Sequence, residues 1–235
     1  MNVIDFHSHV LPQVDDGSAS VEESVAMLRA EAAQGIQAVV ATPHFYAHND
    51  SPERFFARRD AAFRSLMATV AAESNLPAVR RGAEVYYFSG ISHSEILSDL
   101  TVDGSHFILV EMPTSPWTEA MYRELYDIRS KQGLTPILAH IDRYLTPFNR
   151  HRIFKRLSEL PVLIQANASF FLQRSTRRTA LQLLERDYIH LLGSDAHDMQ
   201  SRMPNLGEVG RLITEHLGED ALSRIGNYQD AVLRG

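Results

Sequence analysis

No cysteine occurs among the 235 residues of the chain, and tryptophan occurs once. The absence of cysteine excludes disulfide bonds, thiolate metal sites and every mechanism that uses a cysteine nucleophile. Basic side chains are also outnumbered, with 23 Lys and Arg against 29 Asp and Glu and a formal net charge of −6. An acidic chain has no general affinity for nucleic acid or anionic membranes, so an anionic ligand requires a local positive centre.

Long apolar runs are missing as well. No window of the sequence approaches the roughly 18 consecutive apolar residues of a membrane span, and the N-terminus leads directly into Val3–Phe6 without the pattern of a signal peptide. We therefore expect a cytoplasmic protein without membrane insertion. Because no linker, repeat or shift in composition interrupts the chain, we also expect a single domain over residues 1–235.

Short apolar stretches alternate with helical patterns along the whole sequence, which predicts a parallel βαβ architecture. Strands are expected at residues 3–6, 37–41, 82–87, 107–111, 135–139, 162–166 and 189–193. Helices are expected from a Ser20–Glu23 capping box to Gly35, at 51–74, from about Met121 to Gly133, at 149–159, at 174–187 and around Val209–Leu217. Since seven strands are one fewer than in the usual (β/α) barrel, the prediction is an α/β fold with a distorted seven-stranded barrel.

Imidazole and carboxylate side chains recur at the ends of these apolar stretches or within them. They are His7, His9, His44, Glu84, Glu111, His140, Asp195 and His197. Strands that each deliver a polar side chain near their carboxyl end are typical of an active site at the C-terminal mouth of a barrel. Groups of nitrogen and oxygen donors hold hard or borderline divalent cations, which with bound water form hydrolytic sites.

A single His-x-His or Asp-x-His pair also fits polar groups that simply satisfy each other at a strand end. The joint placement favours metal binding. Glu84, Glu111 and His140 each lie in or at the end of an apolar run, where an unpaired charge is costly. Several carboxylates buried together without cations would cost still more free energy.

These residues lie in motifs that resemble the polymerase and histidinol phosphatase (PHP) superfamily. The motifs are His7-Ser8-His9-Val10-Leu11-Pro12, Asp15-Asp16-Gly17-Ser18, Thr42-Pro43-His44, Gly82-Ala83-Glu84-Val85-Tyr86-Tyr87, Ala139-His140-Ile141-Asp142-Arg143-Tyr144 and Ser194-Asp195-Ala196-His197. Within the superfamily, the chain resembles the manganese-dependent bacterial protein-tyrosine phosphatases of capsule and exopolysaccharide synthesis. The resemblance runs from the first strand to about residue 204.

The resemblance implies a centre of three metals, with Mn²⁺ favoured and Fe, Zn or Co also compatible with the donors. It implies that His7, His9, Glu84 and Asp195 hold the first metal, that Glu84, Glu111 and His140 hold the second, and that Asp16, His44 and His197 hold the third. Three divalent cations and four carboxylates leave a charge of about +2, which suits a phosphate dianion. The resemblance further implies that Arg143 and Arg202 contact the substrate phosphate, as guanidinium forks commonly do.

The expected function is therefore a metal-dependent phosphomonoesterase, in which a hydroxide bridging two metals attacks phosphotyrosine. The resemblance suggests a bacterial tyrosine autokinase as the protein substrate. Phe45, Tyr46, Tyr87 and Phe88 are expected to line the mouth, and Asn167 is expected to point toward it. Alternative functions are a phosphatase of histidinol phosphate or another small ester, and a non-catalytic metal-binding PHP module. The chain departs from the family pattern at Ile141-Asp142, where Pro-Glu is common, and this affects how Arg143 is presented.

Overall fold

The computed structural model describes residues 3–146 and 148–234. These residues form nine strands, with helices between most of them, and every strand pair is parallel. The strands are β1 (Val3–Ser8), β2 (Ile36–Ala41), β3 (His44–Phe45), β4 (Ala78–Arg81), β5 (Glu84–Tyr86), β6 (Phe107–Glu111), β7 (Thr135–Leu138), β8 (Leu163–Asn167) and β9 (Leu191–Gly193).

The strands form two curled sheets, one in the order β1-β2-β4 and one in the order β3-β5-β6-β7-β8-β9. A backbone hydrogen bond connects the two sheets: the N–H of Asp195, which follows β9, donates to His7 O of β1 over 2.8 Å. The predicted α/β class is confirmed. The seven predicted strands overlap β1, β2 and β5 to β9, while β3 and β4 lie outside the prediction. Thr42-Pro43 separates β3 from β2, and Gly82-Ala83 separates β4 from β5, so each extended segment is divided into two strands.

The helices cover the outside of the sheets. They are α1 (Val21–Ala33), α2 (Pro52–Val70), α3 (Glu119–Gln132), α4 (Ile141–Tyr144), α5 (Arg150–Leu157), α6 (Ala168–Leu172), α7 (Arg177–Glu185), α8 (Leu206–Leu217) and α9 (Glu219–Arg234), with short 3₁₀ helices at Ile91–His93, Glu95–Leu100 and Val102–Gly104. The sequence prediction did not include α4, α6, α9 or the 3₁₀ helices.

Local sequence signals set the helix ends. Ser20 Oγ accepts the Glu23 N–H at the start of α1, as predicted, but the Glu23 carboxylate accepts the N–H of Ala19 rather than that of Ser20. Gly133 ends α3 in the left-handed conformation (φ 72°), which glycine adopts without steric cost.

The hydrophobic core lies between the sheets and the helices. All six residues of β1 and all five of β6 are buried, as expected for parallel strands covered on both faces. Across residues 3–146 and 148–234, no helix combines the length and the apolar character needed to span a membrane. The carboxyl ends of the strands meet at one edge, where the polar side chains are found.

Candidate metal centre

All nine side chains predicted as metal ligands lie in one cluster, and most of them lie at or just after the carboxyl end of a strand. His7 lies in β1 and His9 directly after it, His44 begins β3, Glu84 begins β5 and Glu111 ends β6. His140, Asp195 and His197 follow β7 and β9, and Asp16 lies in the loop after β1. Their donor atoms form four overlapping groups, each within 4.8 Å: His9 with Asp16, His44 and His197; His7 with Glu84 and His140; His7 with His9 and Asp195; and His44 with Glu84 and Glu111.

The deepest part of the cluster contains His7, His9, Glu84 and Asp195. Glu84 Oε2 lies 3.2 Å from His7 Nε2 and 3.4 Å from His9 Nε2. Asp195 Oδ1 lies 3.7 Å and 3.5 Å from the same two nitrogens. Two ligands that bind one metal at about 2.1 Å and at right angles are themselves roughly 3 Å apart. These separations therefore suit four donors around a single cation.

Glu84 connects this part to its neighbours. Its Oε1 lies 2.5 Å from His140 Nε2, and its Oε2 lies 2.8 Å from His44 Nδ1. The resemblance implied that Glu84, Glu111 and His140 share one cation. In the structure Glu84 groups with His140 and His7 on one side, and with Glu111 and His44 on the other.

The third part of the cluster opens toward solvent. Asp16 Oδ1 lies 3.5 Å from His44 Nε2 and 3.6 Å from His197 Nε2, and the Asp16 side chain is 68% exposed. The His9 ring packs against the His197 ring with 3.8 Å between centroids. His9 thus joins the three residues that the resemblance implied for this part.

Four buried nitrogen and oxygen atoms in the cluster form no hydrogen bond of acceptable geometry among the described residues, although two of them, His44 Nδ1 and Glu84 Oε2, lie 2.8 Å apart. The four are His44 Nδ1, Glu84 Oε2, Asp195 Oδ1 and His197 Nε2. An unsatisfied buried polar atom costs about 1–3 kcal/mol. Four of them in one cluster are unusual in a folded protein. A set of imidazole and carboxylate donors with free lone pairs fits divalent cations.

The charges of the cluster stabilise one another. Burial alone would raise the pKa of Asp195, yet the neighbouring His9 imidazole and the charges of His7 and His140 bring that pKa below its ordinary value. Burial would likewise raise the pKa of Glu84, but the neighbouring imidazoles lower it well below the ordinary value. Carboxylates that stay ionised in a buried site are ready to bind cations.

The two predicted arginines border the cluster. Arg143 donates to Glu111 Oε1 over 2.9 Å and to Asp195 Oδ2 over 3.0 Å. Arg202 Nη2 lies 2.7 Å from the same Asp195 oxygen. Both side chains remain partly exposed, at 35% and 39%, so their guanidinium groups lie at the mouth.

Sequence reasoning assigned no role to Asp15. Its Oδ2 lies 2.7 Å from His9 Nδ1 and accepts the backbone N–H of His44 over 2.9 Å. Burial would raise the pKa of Asp15, but the hydrogen bond and the charge of His9 lower it to about 2. A carboxylate on the outer nitrogen of a histidine fixes its tautomer and ring orientation. The Asp15-Asp16 pair in the quoted motif was the available sequence signal.

Gln165 and Asn167, both in β8, support the opposite side of the cluster. Gln165 Oε1 accepts the His140 N–H over 2.9 Å. Asn167 Oδ1 lies 3.0 Å from His140 Nδ1, and its amide donates to Asp195 Oδ2 over 3.0 Å. Asn167 points into the cluster, as expected, whereas Gln165 carried no signal beyond its place on a strand.

The backbone is under constraint at two cluster positions. His140 and Asp195 adopt left-handed conformations, with φ of 50° and 56°. Such conformations cost non-glycine residues roughly 1–3 kcal/mol and concentrate at functional sites. Gly193 is constrained by space, since a Cβ there would lie 2.4 Å from His7 Cβ and 2.7 Å from Gln165 Nε2.

An aromatic wall flanks the cluster. The Tyr46 ring lies 5.1 Å from the His44 ring and 5.5 Å from the Tyr86 ring. A cavity of about 570 Å³ begins here, lined by Asp16, His44, Tyr46 and Arg58 among others.

The prediction that Phe45 lines the mouth is wrong. Its side chain is fully buried and packs on Phe55 with 5.1 Å between centroids, because it alternates with His44 on β3 and faces the core. The Tyr87 hydroxyl donates to Glu124 over 2.5 Å, while the Tyr86 ring lies next to Tyr46 and extends the wall.

The parallel α/β fold and the buried cluster define a candidate metalloprotein centre at the carboxyl edge of the strands. Residues 3–232 match the family model described as capsular polysaccharide synthesis, CpsB/CapC. The chain therefore belongs to the CpsB/CapC family.

Relatives in this family resemble the chain over nearly its whole length. Tyrosine-protein phosphatase CpsB of Streptococcus pneumoniae is 30% identical over 231 residues, which cover 92% of this chain and 91% of that protein. Tyrosine-protein phosphatase YwqE of Bacillus subtilis (strain 168) is 25% identical over 245 residues, covering 99% and 92%. A chain from the crystal structures of YwqE and CpsB, described as metal-dependent tyrosine phosphatases, superposes with a TM-score of 0.85 at 24% identity, covering 99% of this chain and 94% of that one. This similarity shows the same fold.

Proposed function

We propose that the chain is a metal-dependent protein-tyrosine phosphatase that acts in capsule or exopolysaccharide synthesis. The observation that carries the proposal is the group of four buried polar atoms without a hydrogen bond in the described part of the chain, beside two arginines at the mouth. The family membership and the names of the relatives support the same activity.

The nine clustered side chains are the proposed ligands. One cation would be held by His7, His9, Glu84 and Asp195, a second by Glu84, Glu111 and His140, and a third by Asp16, His44 and His197. His9 lies close to the ligands of both the first and the third cation. Mn²⁺ is the proposed metal, because imidazole and carboxylate without thiolate suit it. Bound divalent cations supply Lewis acidity and activate water as a nucleophile at neutral pH.

The arginines complete the proposed site. Arg143 and Arg202 would bind the nonbridging phosphoryl oxygens, where charge-assisted bidentate contacts orient the phosphate and stabilise charge that develops in the transition state. Asp15, Gln165 and Asn167 would hold the histidine and carboxylate side chains in place. The residues of the chain thus divide into those that bind metal, those that bind phosphate and those that position both.

An aromatic ester suits the shape of the entrance. Tyr46 and Tyr86 form an aromatic wall next to His44, where a phosphotyrosine ring would stack favourably. We propose a phosphotyrosine protein as the substrate and a bacterial tyrosine autokinase as the partner. We further propose that the two curled sheets act as one distorted PHP-like barrel of seven extended segments within a single domain over residues 1–235.

Steady-state kinetics test this function. The purified chain, reconstituted with Mn²⁺, is compared on a phosphotyrosyl peptide, the phosphoseryl peptide of equal sequence and histidinol phosphate. The phosphotyrosyl peptide should have the highest kcat/KM, and chelation should abolish the activity. A preference for histidinol phosphate would support the small-molecule alternative, and no hydrolysis of any ester by metal-loaded protein would support a non-catalytic module.

A further inference from the structure

Two carboxyl groups outside the ligand set lie buried beneath the cluster. Asp5 of β1 is 0% exposed and Glu31 of α1 is 1% exposed. The two carboxyl groups lie close enough for one to donate a hydrogen bond to the other. Within residues 3–146 and 148–234, neither carboxyl group forms an ion pair with a basic side chain. A pair of buried acids without a cation needs an explanation, because burying unpaired charge is costly.

Asp5 joins the two backbone segments that carry the deepest ligands. Its Oδ1 accepts the N–H of His7 over 3.0 Å and the N–H of Ser194 over 2.9 Å. Its Oδ2 accepts the Ser194 hydroxyl in a short hydrogen bond. Ser194 directly precedes Asp195, whose left-handed backbone (φ 56°) turns its carboxylate into the cluster. One carboxylate thus ties the segment of His7 to the segment of Asp195.

Glu31 is the remaining candidate for a hydrogen-bond donor to the Asp5 carboxylate. Neither Glu31 oxygen receives a hydrogen bond from the described residues, and two ionised carboxylates in contact would repel each other. Burial and the charge of Asp5 raise the pKa of Glu31 to about 10. A protonated carboxyl group carries one O–H donor, and an O–H donated to a carboxylate forms a strong, short hydrogen bond.

We propose that Glu31 is a positioning residue of the metal centre, which donates its carboxylic proton to Asp5 and thereby fixes the relative placement of His7 and Asp195. Glu31 lies on the covering helix α1, and among the described residues its side chain forms no hydrogen bond with the proposed ligands. Its effect passes through the Asp5 hydrogen bonds to the two backbone N–H groups. The inference rests on the proposed function in that His7 and Asp195 are taken as metal ligands.

Two substitutions of similar size separate this role from packing. Glu31→Gln keeps a donor for Asp5 through its amide N–H, whereas Glu31→Met fills the same space without a donor. Mn²⁺ is titrated into chelator-stripped protein, and its dissociation constants are compared. Glu31→Gln should bind Mn²⁺ within about threefold of the parent, and Glu31→Met should bind it roughly 10- to 100-fold more weakly, as when an outer partner of a ligand is lost. Equal affinity of Glu31→Met and the parent, or equal losses in both variants, would overturn the proposal.

A metal-free measurement covers the case in which Glu31→Met does not fold. The infrared spectrum of the stripped parent at neutral pH should contain the C=O stretch of a protonated, buried carboxylic acid, and this band should be absent from Glu31→Gln. No difference between the two spectra would overturn the proposal. Failure of the phosphatase assay with Mn²⁺ bound would reject the proposed function alone, since the affinity and infrared comparisons do not depend on turnover.

Discussion

Arg202 Nη2 lies 2.7 Å from Asp195 Oδ2, so a guanidinium group at the mouth is paired with a carboxylate from the floor of the cluster. Arg143 shares the same carboxylate oxygen at 3.0 Å. In the proposed site, a cation bound by Asp195 would weaken the attraction of this carboxylate for the two arginines and leave them available to a phosphate. The proposed metal and phosphate sites therefore share one carboxylate, and the proposed roles can be separated by mutation.

Removing either arginine should impair phosphate binding and leave the metals in place. In Arg143→Ala and Arg202→Ala, the loss of a charge-assisted contact worth about 1.5–3 kcal/mol should lower kcat/KM roughly 10- to 100-fold. Elemental analysis should find the parental metal content in both variants. Arg211→Ala on the exposed face of α8 is the matched control and should behave like the parent. Metal loss in Arg143→Ala would contradict the assignment.

Removing Glu84 should affect the metals themselves. Glu84→Gln keeps the size of the side chain but removes the charge that contacts His7, His44 and His140. Because one carboxylate serves adjacent parts of the cluster, this variant should lose more than one metal equivalent per chain and nearly all activity. Metal content by elemental analysis checks the prediction. Full occupancy in Glu84→Gln would show that Glu84 is not a ligand.

Asp15→Asn should lower the affinity for Mn²⁺ although Asp15 is not itself a proposed metal ligand. The amide still reaches His9 but no longer stabilises its ring as a carboxylate does, so Mn²⁺ affinity should fall roughly 10- to 100-fold. Turnover at saturating Mn²⁺ should stay close to that of the parent. Isothermal titration followed by assays over a range of Mn²⁺ concentrations measures both quantities. An unchanged affinity would leave Asp15 with a purely structural role.

The aromatic wall should contribute to substrate choice. Tyr46→Ala and Tyr86→Ala should raise KM for a phosphotyrosyl peptide, since ring stacking is worth about 0.5–1.5 kcal/mol. Activity on the phosphoseryl peptide should change little. The measurement is the ratio of kcat/KM for the two peptides, and Phe45→Leu in the core serves as the comparison because its ring lies away from the mouth. An unchanged ratio in both tyrosine variants would exclude the wall as a determinant of specificity.

Glu31 should give the chain a recognisable pH dependence of stability. Its folded pKa of about 10 lies above the ordinary value of 4.5, so the folded state binds one proton more than the unfolded state between these values. The contribution is complete below the unfolded pKa and is lost as pH rises toward the folded pKa. Relative to chelator-stripped Glu31→Gln, the stripped parent should therefore lose roughly 1 kcal/mol of unfolding free energy per pH unit from pH 6 to 9. Urea denaturation at several pH values measures this difference, and parallel curves would contradict it.

Much of the fold follows from the sequence because its signals are local. Apolar stretches located seven of the nine described strands, and the stop at Gly133 follows from the conformational freedom of glycine. β3 has two residues, and β4 is exposed at three of its four positions, so neither shows a clear apolar run. Contacts between distant segments, such as Gln165 with His140, depend on how the strands are aligned and leave no mark in a single sequence.

The candidate ligands were predictable for a different reason. Most of them lie within or at the end of an apolar stretch, and the motifs around them resemble a known superfamily, which supplied the grouping that spacing alone does not give. The wrong prediction for Phe45 came from placing a residue at the mouth by its position in the chain. Alternation along β3 instead turns His44 toward the cluster and Phe45 toward the core.

The crowding at Gly193 restricts which residues can replace this glycine during evolution. There is no room for a single added carbon between β9 and His7, since even an alanine methyl group would lie 2.4 Å from His7 Cβ. A lineage that keeps His7 and the pairing of β8 with β9 cannot drift away from glycine at this position unless the strands separate. A glycine two residues before the Asp-x-His pair should therefore distinguish related sequences that retain this centre from those that have lost it, and the sequence alone is enough for this test.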